Sequence, residues 1–213
     1  MDWLKPKLVR ALEVRQAEIC AHIENVQAKC LTTAIEAVFV NAFESELKSA
    51  RIKREVQLDV IRTKSYYEGR KTGRLDCYLP DLRTAFEYKA VRLPRRHSNC
   101  LSGARYDIGQ LLADYLRLSR ARNLEAGYVI AFVYGPLVSD AQSPGKLYRT
   151  FHNQMFVDFN VADGDSKIAS RGIVRQAFRK LKWDTGWGTA RAPTWAMAVK
   201  VGSLGAICID CRS

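Results

Sequence analysis

The chain has 213 residues, 47% hydrophobic and 26% charged, with 34 Lys and Arg against 22 Asp and Glu, a formal charge of +12. That composition excludes an intrinsically disordered chain, and the length is enough to bury a core. No apolar run reaches the length of a bilayer span, which excludes a membrane helix, and MDWLKPKLVRALEVRQAEIC has charges where a secretion signal is apolar, so a cytoplasmic location is expected.

Residues 3–30 have the period of a helix or a helical pair, with Leu4, Leu8, Ala11 and Leu12, then Ile19, Ile23 and Val26, on one side. Thr32 or Thr33 can cap a helix over about 34–49, whose apolar stripe is Ile35, Val38, Phe39, Ala42 and Phe43. The period then changes to two. EVQLDVIR (55–62), RLDCYL (74–79) and TAFEYKAV (84–91) read as strands, separated by the polar turn YYEGRKTG and the tight turn PDLR. Together they predict an antiparallel meander.

The basic loop RLPRRHSNCLSG (92–103) leads to a helix over 106–121, with Ile108, Leu111, Leu112, Tyr115 and Leu116 on one side. AGYVIAFVYG (126–135) is a nearly continuous apolar run, as expected of a strand covered on both faces. The segment 136–150 reads as loop, MFVDFNV (155–161) as strand, and 167–182 as a basic helix or irregular segment. WAMAVKV and LGAICID predict a closing hairpin across Gly202-Ser203. The fold class expected is α/β.

The six cysteines, Cys20, Cys30, Cys77, Cys100, Cys208 and Cys211, are expected to be reduced thiols. His97-x-x-Cys100 and Cys208-x-x-Cys211 could between them ligate a zinc ion, but buried or idle thiols are the favoured reading. GWGTA (186–190) lacks the strand-to-helix setting and the Lys-Ser/Thr of a phosphate-binding loop, which argues against an NTPase.

The chemistry concentrates in Glu87-Tyr88-Lys89. On a strand, Glu87 and Lys89 share one face while Phe86, Tyr88 and Ala90 take the other. An acid and a base inside an apolar strand are costly without partners or a task. Asp76 lies between Leu75 and Cys77 in the preceding strand, and hairpin pairing can bring it beside Glu87. Two adjacent carboxylates repel, and a hard divalent cation such as magnesium relieves that repulsion. Asp76 and Glu87 are therefore the metal-ligand candidates, and Lys89 the group that orients water or stabilises developing charge.

At GRLDCYL and FEYKA, with ten residues between Asp76 and Glu87, the sequence resembles the PD-(D/E)XK nuclease superfamily. The resemblance implies a restriction-endonuclease-like core of helix, three-strand meander, helix and strand over about 34–135. An N-terminal helical segment would precede this core and a C-terminal β-containing elaboration would follow over about 136–213, all in a single nuclease-like domain. It also implies Mg2+, with Mn2+ able to substitute, and hydrolysis of phosphodiester bonds in DNA, less often RNA. The superfamily commonly adds a Glu from the first core helix. Glu46 fits best, Glu36 is a second option on nearly the same face, and Glu44 points elsewhere. A Gln on the second helix, with an aromatic after it, would match Gln110 and Tyr115, although five residues separate them here instead of four. Leu75 stands where the superfamily's proline would be. Glu46-Leu47-Lys48 and Pro80-Asp81 copy parts of the motif, but in a helical stretch and at a turn.

Arg74, Arg92, Arg95 and Arg96 flank the candidate strands and are placed to contact nucleic-acid phosphates. Arg70 and Lys71 add to the first group, and Arg175, Arg179, Lys180 and Lys182 with Trp183 and Trp187 form a later one. The partner expected is nucleic acid rather than a membrane, and symmetric cutting of a duplex would call for a homodimer. The rival reading is a non-catalytic nucleic-acid-binding module on the same scaffold.

Overall fold

The computed structural model describes residues 3–28, 33–47, 50–57, 74–93, 111, 114, 115, 118, 119, 121, 123–151 and 196–212. It is a mixed α/β structure. The N-terminal segment is a helical pair, α1 (Leu4–Val14) and α2 (Gln16–Ala28), parted at Arg15. Leu4, Leu8, Ala11 and Leu12 recur at intervals of four, three and one, so α1 buries one continuous stripe. Helix α3 (Thr33–Glu46) buries Ile35, Phe39, Ala42 and Phe43 in the same way.

Next in the chain are β1 (Val56–Gln57), β2 (Arg74–Leu75), β3 (Cys77–Leu79) and β4 (Thr84–Arg92), with a short 3-10 turn at Pro80–Leu82. The helical positions 111, 114, 115, 118 and 119 form α4. Then come β5 (Ala126–Tyr134), α5 (Pro136–Asp140), helical residues 144–151 (α6), β6 (Ala196–Val201) and β7 (Leu204–Asp210).

Five strands form one mixed sheet in the order β3-β4-β5-β7-β6. Only β4 and β5 are parallel, and α4 lies between them in the chain, as a parallel pair requires a crossover. Helices α1 to α3 cover one face, packing on Phe86, Tyr88, Tyr128, Ile130, Phe132, Ala206 and Cys208. Helices α4 to α6 cover the other, packing Leu111, Tyr115, Leu118, Val138, Leu147 and Phe151 against Ala85, Val91, Val129, Ala131, Val133, Ile207 and Ile209. Covered on both sides, β5 is buried from Gly127 to Tyr134, which is why its sequence shows no alternation.

Two expectations are corrected. The meander is not one sheet: among the described residues β1 pairs only with β2, in a separate two-stranded ladder, and the chain breaks at Asp76 before β3 begins. The segment 136–150 is not loop. It starts α5 with Pro136 behind Gly135, and Val138, Leu147 and Phe151 are the apolar residues that dock α5 and α6. Of the strand expected at 55–62 only Val56–Gln57 is described as strand, its remainder from residue 58 lies outside the described residues, and so do the elements expected at 155–161 and 167–182.

The predicted hairpin is present, with β6 and β7 joined at Gly202-Ser203, and Gly202 takes the φ of +56° that the turn needs. Gly205 serves a different purpose. A Cβ there would lie 2.6 Å from Leu147 Cδ2, 3.0 Å from Val133 Cγ2 and 3.0 Å from the Val199 carbonyl oxygen. Gly205→Ala is therefore expected to cost about 1–3 kcal/mol by overpacking, as measured by urea unfolding.

Candidate functional site

The site is built on a gap in the sheet. Strand β4 is nine residues long and pairs with β5 along its whole length, but β3 covers only Thr84 to Phe86 on its other edge. Among the described residues no strand continues along that edge beyond Phe86. Alternate backbone N–H groups point to the same edge of a strand, so the donors of Tyr88 and Ala90 face the gap together. Side chains replace the missing ladder. Asp76 Oδ2 accepts the Tyr88 N–H at 2.9 Å, and Glu36 Oε2 accepts the Ala90 N–H at 3.3 Å.

The break at Asp76 makes the first bond geometrically accessible. Leu75 packs on the α4 face of the sheet and Cys77 on the α3 face, so the regular alternation fails between them. At that bend the Asp76 carboxylate turns back onto β4. Glu36 arrives from the other direction. It sits one residue after Ile35 on α3, at the margin of the buried stripe, and reaches round the edge of β4.

Glu87 and Lys89 alternate with Phe86, Tyr88 and Ala90 and therefore face α4, in line with Ala85 and Val91. Glu87 is 2% exposed and Lys89 is partly buried. Lys89 Nζ lies 3.7 Å from Glu36 Oε2. Burial on its own would lower the Lys89 pKa. The carboxylates of Asp114, Glu36, Asp76 and Glu87 outweigh burial and hold the ammonium above its ordinary range. Glu36 is raised, first by burial and further by Asp76 and Asp114, against the opposing pull of Lys89 and the Ala90 N–H. Four carboxylates thus act on one ammonium, Glu36 the one in ion-pair distance, and this spot is locally acidic in a chain of formal charge +12.

Asp76, Glu87 and Lys89 are brought together at this edge, but Glu46 is not. It ends α3 in an ion pair with Arg10 of α1 at 3.2 Å, and its carbonyl accepts the Lys7 ammonium at 2.6 Å. Glu36 and Glu46 are ten residues apart, so although nearly on one face they are separated by about 15 Å along the helix axis. The site lies near the N-terminal half of α3, and Glu36 is the acid that reaches it. Glu44 is instead buried in an ion pair with Arg54 close to Cys77 and Tyr88.

Asp114 is a further acid at the site, and its neighbours in sequence mark it. It follows Leu111 by three residues and precedes Leu118 by four, an acid inside an apolar stripe, the same anomaly that marks Glu87 and Lys89. Tyr115 is buried in the core beside it. Gln110, Arg95 and Arg96 lie outside the described residues, as do Arg70, Lys71 and the 175–187 cluster. Arg74 is in β2, and Arg92, partly buried, ends β4.

The cysteine pair does not converge. Cys208 packs on the α1–α3 face and Cys211 on the α4–α6 face, because three steps along a strand reverse the side-chain direction. His97 and Cys100 lie outside the described residues. Cys77, Cys208 and Cys211 are buried, and Cys20 is partly exposed. Burial pushes the Cys77 thiol up from 9.0 to about 11. Above pH 9 the unfolded chain releases this proton while the folded chain keeps it, so stability present below pH 9 is lost as pH rises through the folded value. Urea unfolding between pH 8 and 11 is expected to show a loss that Cys77→Ala reduces by about 2–3 kcal/mol.

Among the described residues no group of three or more His, Cys, Asp or Glu is arranged to hold a metal ion. In this conformation one oxygen of Asp76 and one of Glu36 bind the edge of β4. The donor set still has the chemistry of a hard-cation site, being carboxylate oxygens with no His or Cys among them. No helix among the described residues is long and apolar enough to cross a membrane. Comparison with family models, curated proteins and solved structures finds no match for the chain.

Proposed function

We propose that the chain is a metal-dependent nuclease that hydrolyses phosphodiester bonds in DNA, on a restriction-endonuclease-like core. The observation that carries this reading is Lys89, 3.7 Å from Glu36 and held charged by Asp114, Glu36, Asp76 and Glu87, at the edge of β4 that no described strand covers beyond Phe86. The order α3, short strands, β4, α4, β5, with β4 and β5 parallel, supports the same reading. So does the charge pattern. A positive chain attracts a polyanion, while an acidic spot repels each phosphate until a cation offsets it.

Asp76, Glu87 and Glu36 are the residues that would hold the cation. Mg2+ or Mn2+, when bound, polarises a phosphoryl oxygen and lowers the pKa of a coordinated water. The Tyr88 N–H fixes the angle of Asp76. Lys89 offers a proton-bearing ammonium beside the reacting phosphate, where it orients water and offsets developing negative charge. Arg74 and Arg92, at the ends of β2 and β4, would hold the backbone of the substrate.

The test incubates the protein with plasmid, single-stranded DNA and RNA in Mg2+, Mn2+ or EDTA. Cutting of DNA that EDTA stops, and that Asp76→Asn and Lys89→Ala remove, supports the proposal. Salt-sensitive binding without cutting in either metal overturns it in favour of a non-catalytic binding module. Cutting indifferent to both substitutions overturns the site.

A further inference from the structure

Asp114 is 7% exposed and lies on the buried stripe of α4 between Leu111 and Leu118, both fully buried. Helix geometry holds its carboxylate toward the sheet. The strand positions opposite are Ala85, Glu87, Lys89 and Val91 on β4 and Val129, Ala131 and Val133 on β5. Among these described residues Lys89 is the one cation that the two strands turn to α4. A buried acid needs a compensating charge, and Lys89 is the ammonium that these strands present to α4. From the opposite side of the sheet, Glu36 approaches the same ammonium at 3.7 Å while bonding to the Ala90 N–H.

We propose that Asp114 is a positioning residue for Lys89. It holds the ammonium from the α4 side while Glu36 holds it from the α3 side, so Glu36 can turn to a cation without releasing the lysine. The clamp itself stands on the geometry of the two helices, and its use in catalysis rests on the nuclease reading above. Its electrostatic support is that Asp114 leads the carboxylates that hold the ammonium charged. The device links the placement of α4 to the chemistry at β4. A shift of that helix would move the lysine before it moved Asp76 or Glu87.

The experiment observes the Lys89 ammonium directly by NMR in protein labelled with 15N-lysine. A side-chain ammonium gives a sharp signal when an ion pair restrains it and slows its exchange. The Lys89 signal, assigned by its loss in Lys89→Arg, is expected in the wild type and in Glu36→Gln, to persist when Mg2+ is added, to broaden in Asp114→Asn, where Glu36 alone remains, and to sharpen again in Asp114→Glu. A signal unchanged in Asp114→Asn overturns the clamp. Should Asp114→Asn not fold, the wild type decides alone: a nuclear Overhauser contact between the Lys89 ε-methylene and the Asp114 β-methylene is expected, and its absence is equally fatal. In the cleavage assay Asp114→Asn is expected to lower kcat by about 10- to 100-fold with KM for DNA unchanged. An unchanged kcat removes the catalytic role. A wild type that cuts nothing overturns the nuclease reading, while the ammonium signal still decides the clamp.

Discussion

Lys89→Ala is expected to reduce DNA cleavage by at least about 100-fold, the usual consequence of deleting a group that offsets charge in a transition state. Asp76→Asn and Glu87→Gln should do at least as much, because each removes a carboxylate from the proposed cation-holding set. The expected signature separates the residues. Lys89→Ala leaves the acids in place with no ammonium between them, so it should bind Mn2+ at least as tightly as the wild type. It should also gain more thermal stability from the metal, since cation binding then relieves an uncompensated repulsion. Asp76→Asn and Glu87→Gln should lose Mn2+ affinity. Calorimetric titration with Mn2+ alongside a plasmid assay distinguishes these patterns. If Lys89→Ala cuts normally, the lysine has no part in the chemistry. If Glu36→Gln is normal in both metal binding and cutting while Glu46→Gln is impaired, the assignment of α3's contribution is reversed.

The second large effect is expected in the core. Phe132 of β5 stacks on Phe39 of α3 at 5.1 Å between ring centroids with an 11° interplanar angle, and it also contacts Phe43 at 6.4 Å and Tyr88 at 6.2 Å. These rings dock α3 onto the centre of the sheet, so they also hold Glu36 at the edge of β4. Phe132→Ala removes one ring from a cluster in which every member is almost fully buried and should cost about 3–5 kcal/mol. That is a large part of the stability of a domain of ordinary size. Urea unfolding monitored by circular dichroism measures it. A loss below about 1 kcal/mol would mean that the cavity collapses and that α3 is not anchored by this stack. At denaturant concentrations where the variant stays folded, any loss of cleavage beyond that of the unfolded fraction reports the loosening of Glu36.

The legible parts of this protein share one property: their information is local. The stripe Leu4, Leu8, Ala11, Leu12 defines α1 because helical period alone decides which side is buried. The run from Gly127 to Tyr134 reads as a strand covered on both faces because it has no polar position to expose. The hairpin at Gly202-Ser203 is signalled by two apolar runs separated by a turn that favours glycine. Glu87 and Lys89 stand out for the same reason, as charged groups at positions whose neighbours are apolar. Asp114 carried an equal signal on α4 and was legible in principle.

The sequence alone determined the alternation that puts Glu87 and Lys89 on one face of β4, and the helical period that gives α1, α3 and α4 a buried side. Those depend only on bond geometry and on the transfer of apolar surface out of water, and both act within a few residues. Tertiary structure decided the rest. It broke the second predicted strand at Asp76, ended β3 short of Tyr88, and chose Glu36 rather than Glu46 as the acid at the gap. It also inserted β7 between β5 and β6. Period fixes the direction in which a side chain leaves its helix or strand, but not how far along its axis that element slides before its rings interlock with the sheet. For α3 that distance was set by Phe39 and Phe43 against Phe132, Phe86 and Tyr88, and ten residues of helix separate an acid at the site from an acid paired with Arg10.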